Sequence, residues 1–213
     1  MPLIRYIGED DLERAPAHEA AQIAANGGII IYPTETLYGI GADATAIGAV
    51  RKINTLKGRP ENEPQIVLLR WDWLPDYIAE HERLLPLLDA FAPGPLTLIS
   101  KAIPKMLASP LTPDGNVAFR VSSSWFVEIL LEILGKPITS TSVNFSGKAS
   151  LTKPDEIIEQ FWDFADGMFL FENVELAGPP STIVDATRFP KELKIVREGA
   201  ISEVAIRKAI EEE

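Results

Sequence analysis

The residues able to do chemistry fall in a few short stretches. GGIIIYPTETLYGIG, at 27–41, runs from apolar β-branched residues into Pro33, two threonines, a carboxylate and two glycines. The hydroxyls of Thr34 and Thr36 are short donors or acceptors that suit a small polar ligand. Gly39 and Gly41 can take positive φ or let a ligand approach the backbone; taken alone, the segment reads equally as a decorated turn. RKINTLKGRP, at 51–60, holds Arg51, Lys52, Lys57 and Arg59 with no acid among them, in a chain of formal charge −11. Lys57 and Arg59 flank a helix end, where cations commonly only offset the helix dipole, by about 0.3–1 kcal/mol. Arg120 sits in VAFRV, at 117–121, and a lone arginine inside an apolar strand needs an anionic partner or a wet cleft. STSVNFSG, at 140–147, gathers Ser140, Thr141, Ser142, Asn144, Ser146 and Gly147 into a second dense polar loop after a strand. Ser181 lies in a turn, and Arg197 follows the last strand candidate.

Missing residues exclude several chemistries. There is no cysteine, which removes disulfides, thiolate metal sites and thiol nucleophiles. His18 and His81 are the only histidines, so no metal-ligating set is assigned, and His18 reads as a solvated residue. Neither a P-loop, a GxGxxG fingerprint nor a serine in a G-x-S-x-G elbow occurs. What remains is hydroxyls near Thr34, Ser142 and Ser181 with basic groups at Lys57, Arg59, Arg120 and Arg197. If their loops converge on one end of a sheet, they form a concave ligand cleft suited to a triphosphate together with a small hydroxylated acid.

The elements that must position these groups alternate along the chain. A strand is expected at 3–7, then an acidic link, then a helix over about 16–26 with proline in its first turn and Gly27 past its end. Ile29, Ile30 and Ile31 suit a strand covered on both faces, and Pro33, which cannot donate to a ladder, marks where pairing should stop, leaving everything after Tyr32 as loop. Ile47, Val50, Ile53 and Leu56 recur at helical spacing, and QIVLL at 65–69 reads as a buried strand. Further helices are expected over 82–91, 125–134 and 153–161, with strands at 96–100, 117–121, from 138, 168–171, 182–185 and 193–196. Ser202 can cap a terminal helix whose Glu211, Glu212 and Glu213 oppose its dipole, so that end should fray. The segment 104–115 is long enough to cover a site, and Trp71 and Trp73 read as packing. This interleaving, without a repeat or linker, favours one α/β domain, 1–213, with a mixed sheet flanked by helices. With 46% hydrophobic residues, no run of about 18 apolar residues and no signal-peptide pattern, a cytoplasmic protein with no membrane segment is expected.

YPTETLYGIG, KGRP, PGPLTLI, FRV, STSVNFSG, PSTIVD and VREG occur in the order seen in the YrdC/TsaC family of threonylcarbamoyl-AMP synthases, which the chain resembles over about 18–201. The resemblance implies a twisted mixed sheet of the YrdC-like fold, in the short type without the C-terminal domain of longer members. It implies a nucleotidyltransferase that condenses L-threonine, bicarbonate or CO2, and ATP into threonylcarbamoyl-AMP and pyrophosphate, the product passing to the machinery that modifies an adenosine of tRNA. Lys57 and Arg59 would hold ATP phosphates, Ser142 and Asn144 would complete a nucleotide-binding tetrad, Arg197 would reach the nucleotide, and Asn116 and Ser150 align with further ATP contacts. Thr34, Arg120, Ser140 and Ser181 match threonine-contacting positions. Mg2+ is expected mainly on the phosphates, with Glu35 as a water-mediated metal contact or a loop-ordering carboxylate. Five residues depart from the family pattern: Glu61 and Glu63 follow KGRP directly, Gln65 stands where relatives often have leucine, and Val143 and Phe145 are apolar variants inside the S-x-N loop that leave its polar pair intact. The alternative is a double-stranded-RNA-binding or ribosome-associated paralogue, against which the −11 charge and the intact tetrad both weigh.

Overall fold

Buried β-branched runs build the middle of the molecule. The computed structural model describes residues 1–8, 14–172 and 174–211. In chain order its strands are β1 (Leu3–Ile7), β2 (Ile30–Pro33), β3 (Tyr38–Gly41), β4 (Ile66–Leu68), β5 (Leu96–Lys101), β6 (Asn116–Arg120), β7 (Ile138–Ser142), β8 (Gly167–Phe171), β9 (Thr182–Asp185) and β10 (Lys194–Arg197). The helices are α1 (Arg14–Ala25), α2 (Ile47–Leu56), α3 (Leu74–Tyr77), α4 (Leu85–Phe91), α5 (Trp125–Leu134), α6 (Pro154–Phe161) and α7 (Glu203–Glu211). The strands form one sheet in the order β1-β8-β2-β3-β7-β4-β6-β5-β9-β10. Pairs β1–β8, β8–β2, β4–β6 and β5–β9 are parallel and the rest antiparallel, so the sheet is mixed as expected.

Helices cover both faces. On one face of β2 and β8, Ala17, Ala20, Ala21 and Ala24 of α1 pack with Phe126, Leu130 and Phe169; the alanines let α1 approach α5 as well as the sheet. Ile29, Ile31 and Ile40 meet Ile53, Ile157 and Phe161 on the other. The β4–β6–β5–β9 half has its own cluster around Phe119, Leu98, Val184 and Ile206.

The expectation of loop after Tyr32 is corrected. Pro33 pairs with Tyr38, and Tyr38–Gly41 returns as β3, so the stretch is a hairpin with a four-residue turn closed by Thr34 N donating to Leu37 O at 3.2 Å. Proline is tolerated because the ladder ends at it. Neither Gly39 nor Gly41 has positive φ. A Cβ on Gly41 would lie 2.0 Å from Thr139 O, and one on Gly39 would lie 3.0 Å from Ser140 Oγ. Those glycines answer to the close approach of β7.

The second polar loop begins later than expected. Ser140, Thr141 and Ser142 belong to β7, their backbone paired to Ile66 of β4 and to Ile40 and Gly39 of β3; ladder bonds override the weak strand preference of serine. Segment 104–115 does not cover a site: Leu107, Ala108 and Leu111 are buried in the core, and Ala108 N donates to Ala44 O at 2.9 Å. The 82–91 helix is split, with a tight turn at His81–Leu84 preceding α4. Ser202 Oγ accepts from Ala205 N at 3.2 Å, capping α7. The acidic link at 9–13 and the terminal Glu212 and Glu213 lie outside the described residues.

Substituting two glycines separates these roles. Gly41→Ala should lose about 3 kcal/mol through overpacking against Thr139. Gly48→Ala, where an added Cβ on α2 meets nothing within 4 Å, should gain about 1 kcal/mol. Urea unfolding of the two variants measures both.

Candidate functional site

Strand ends from both halves of the sheet surround one cavity of about 340 Å³. Thr34, Thr36 and Gly39 enter from the β2–β3 hairpin, Ser140, Thr141 and Ser142 from β7, and Arg120 from the end of β6. Arg59, Gln65, Ser150, Ser181 and Arg197 complete the polar lining.

Several of these polar groups are held by their neighbours. Thr34 Oγ1 donates to Leu37 O at 2.7 Å and accepts from Thr36 N at 3.3 Å, an ordering of the turn by its own hydroxyl. Ser181 Oγ shares a hydrogen with Thr97 Oγ1 at 2.9 Å. Arg197, exposed at the cavity rim, donates from Nη2 to Ser181 O at 2.8 Å. Close fit supports this corner, because a Cβ on Gly199 would come within 2.1 Å of Pro180 O. Arg197 is held below the ordinary guanidinium range by partial burial and then by the charge of Arg120, so the two cations feel each other across the cavity.

Arg59 is positioned by the end of α2. Its N–H donates to Asn54 O at 2.8 Å, Nη1 donates to Thr141 Oγ1 at 3.3 Å, and Nε stands 3.6 Å from Glu63. Glu63 therefore partly offsets Arg59, while Glu61 points to solvent. Gln65 braces the same loop. Its Nε2 donates to Val50 O and to Asn54 Oδ1, and Asn54 Nδ2 donates to the carbonyls of Glu61 and Glu63, at 2.7 to 3.0 Å.

Lys57 and Asn144 stand behind the wall. Lys57 is 1% exposed, and its Nζ donates to Ser142 O and, at 3.1 Å, to Asn144 Oδ1. Asn144 Oδ1 also accepts from Ser142 Oγ at 2.5 Å, and its Nδ2 donates to Phe145 O and Lys148 O. Lys57, Ser142 and Asn144 thus form one cluster in which Ser142 reaches the cavity. Burial, and then the charge of Arg59, lowers the Lys57 ammonium to about 7 against the partial opposition of Glu63. Its side chain does not cap α2.

Of the residues named from sequence, Thr34, Arg59, Arg120, Ser140, Ser142, Ser150, Ser181 and Arg197 line the same cavity. Asn116 does not: it opens β6, about 13 Å along the strand from Arg120, paired with Lys101. Thr36, Gly39 and Thr141 also belong to the lining: the sequence marks the first two as suited to a ligand, but assigns none of the three to a particular substrate. Thr141 stood among the hydroxyls of 140–147, yet only its pairing in β7 turns it toward Arg59. The basic window does not make a surface patch, since Lys57 is buried, Arg59 enters the cavity and Lys52 lies 3.8 Å from Asp166.

The family model for Sua5, YciO and YrdC proteins, described as "Telomere recombination", matches residues 22–199. The chain belongs to the Sua5/YciO/YrdC family. A threonylcarbamoyl-AMP synthase of Pyrococcus abyssi is 32% identical over 200 residues, which are 91% of this chain and 56% of that protein. This Sua5/YciO/YrdC chain therefore spans a little over half the length of that relative. The structure of P. abyssi Sua5 complexed with L-threonine superposes with a TM-score of 0.84 at 29% identity, over 99% of this chain and 60% of that one. Escherichia coli YciO, with a TM-score of 0.84 and 24% identity, shares the fold over 97% of this chain and all of its own.

The lowered Lys57 has a consequence for stability. Between about 7 and 10.5 the unfolded lysine keeps a proton that the native one has released, so wild-type stability should rise with pH across that window relative to Lys57→Met. Urea midpoints measured for both proteins across the window check the sign; parallel curves would return Lys57 to an ordinary lysine.

Proposed function

We propose that the chain is a threonylcarbamoyl-AMP synthase of the nucleotidyltransferase class, working on L-threonine, bicarbonate or CO2, and ATP. The observation that carries this is the convergence of Arg59, Arg120 and Arg197 with the hydroxyls of Thr34, Ser140, Ser142 and Ser181 on one cavity. Threonine's neutral amine adds to CO2 and releases one proton to solvent, giving a carbamate. One carbamate oxygen attacks the α-phosphorus of ATP, the bond from that phosphorus to the bridging oxygen breaks, and pyrophosphate leaves with the electron pair. No side-chain nucleophile is required, so the work of the protein is alignment and stabilisation of developing negative charge.

In this scheme Arg59 takes phosphate oxygens with its planar fork, Arg197 reaches the nucleotide from the rim, and Arg120 takes the threonine carboxylate. Lys57 acts through Ser142 and Asn144, its amine at about 7 able to gain a proton as a polyanion enters. Ser150 serves the nucleotide, whereas the position of Asn116 outside the lining speaks against direct contact. Mg2+ would be carried on the phosphates. Among the described residues no group of three or more His, Cys, Asp or Glu side chains is arranged to hold a metal, and Glu35 is engaged with Arg120 and Ser122. The product would pass to the tRNA threonylcarbamoyl-transfer machinery in the cytoplasm. No helix among the described residues is long and apolar enough to cross a membrane. RNA contact finds no support in the dispersed basic window.

The test is incubation of the chain with ATP, L-threonine, bicarbonate and Mg2+. Threonylcarbamoyl-AMP and pyrophosphate should form in equal amounts; their absence with folded protein would sink the proposal. Arg120→Ala should raise the KM for L-threonine by about 10- to 100-fold, the worth of a charge-assisted hydrogen bond, with little change for ATP.

A further inference from the structure

Arg120 is held within the cavity by Thr36 and from outside it by Glu35. The Arg120 side chain is 4% exposed, with Nη1 hydrogen-bonded to Thr36 Oγ1 at 3.3 Å and in an ion pair with Glu35 Oε1 at 3.4 Å, while Nε and Glu35 Oε1 are each buried without a hydrogen-bond partner. Glu35 lies in the hairpin turn but does not line the cavity. Its second carboxylate oxygen, Oε2, accepts a hydrogen bond from Ser122 Oγ, two residues beyond the end of β6. The contacts therefore run Ser122, Glu35, Arg120, from behind the wall to the cavity.

A guanidinium recognises a carboxylate by a fork of two parallel N–H groups, which works only if the plane of the group is fixed. Thr36 and Glu35 stand on Nη1 and Nε is itself buried, so Nη2, which neither of them touches, is the end left for a ligand. Glu35 can fix that plane only if its own torsions are fixed, and Ser122 supplies the contact that does so. We propose that Ser122 and Glu35 are positioning residues that orient the Arg120 fork toward the carboxylate of the amino-acid substrate. The inference rests on the synthase reading, in which Arg120 takes that carboxylate. It adds a residue, Ser122, that does not line the cavity.

Ser122 Oγ also accepts from Ser124 N at 3.2 Å, at the entry to α5, so a purely structural role must be separated from a positioning one. The full chain carrying Ser122→Ala, Ser122→Thr, Glu35→Asp and Ser122→Ala with Glu35→Asp is compared by calorimetric L-threonine binding, KM values for L-threonine and ATP, and urea midpoints. Ser122→Ala should weaken L-threonine binding and raise its KM about fivefold, the worth of one hydrogen bond, with the ATP KM and urea midpoint near wild type. Ser122→Thr should restore binding. Glu35→Asp, too short to span both partners, should raise the L-threonine KM further, and Ser122→Ala should then add nothing. Unchanged threonine parameters in Ser122→Ala, additive effects in the double variant, or ATP, threonine and stability moving together would each overturn the proposal. Wild-type protein that binds no L-threonine would instead fell the synthase reading, and this inference with it.

Discussion

Strand β7 must be polar and central at the same time. A strand in the middle of a sheet covered on both faces ordinarily carries β-branched hydrocarbon. Here Ser140, Thr141 and Ser142 stand in it, with backbone paired to β4 on one side and β3 on the other. Ladder bonds satisfy the main chain, which leaves the hydroxyls free to line a cavity between the two halves of the sheet. The approach of β7 to β3 is closer than any Cβ would permit at Gly41, and Tyr32 locks it by donating to Thr139 O at 2.8 Å. Hairpin turn, serine-bearing strand and Arg120 therefore keep one spacing.

Cations enter this cavity in a protein of formal charge −11. An arginine removed from water is costly unless oxygen atoms replace the water, and removing one partner of a buried pair costs about 3–5 kcal/mol. Arg120 has Glu35 and Thr36, Arg59 has Thr141 and Glu63, and Arg197 has the Ser181 carbonyl. The compensation is incomplete. Mutual repulsion between Arg120 and Arg197 persists, and an entering anion relieves it. The positive charge of the cavity thus comes from placement of a few guanidiniums and not from the overall charge of the protein.

Much of this was legible in the sequence. Apolar periodicity located α2, α5 and α6, and β-branched runs located β2 and β4, because those residues face cores that any compact fold must bury. Arg120 declared its need for an anion by standing in an apolar strand, and Glu35 meets it. The β3 strand was hidden since YGIG offers two glycines and no β-branched pattern until Ile40. Its reason lies in β7, about a hundred residues later in the chain. Serines at 140 and 142 hid the second half of β7 in the same way, polarity being the usual mark of a loop. Segment 104–115 looked like a cover because of its three prolines and its length; buried Leu107, Ala108 and Leu111 anchor it to the core instead.

The sequence by itself determined the alternation of strands and helices, the family motifs, and which hydroxyls and cations were available. Residue type and local spacing carry that information directly. Tertiary structure alone decided that Lys57 hides behind Ser142 and Asn144, that Asn116 lies at the wrong end of β6, that Glu63 partners Arg59, and that Ser122 reaches Arg120 through Glu35. Each of those outcomes depends on which strand end meets which loop. Strand pairing across many residues sets that, since a side chain's partner in a sheet is fixed by register and topology and not by its neighbours in the chain.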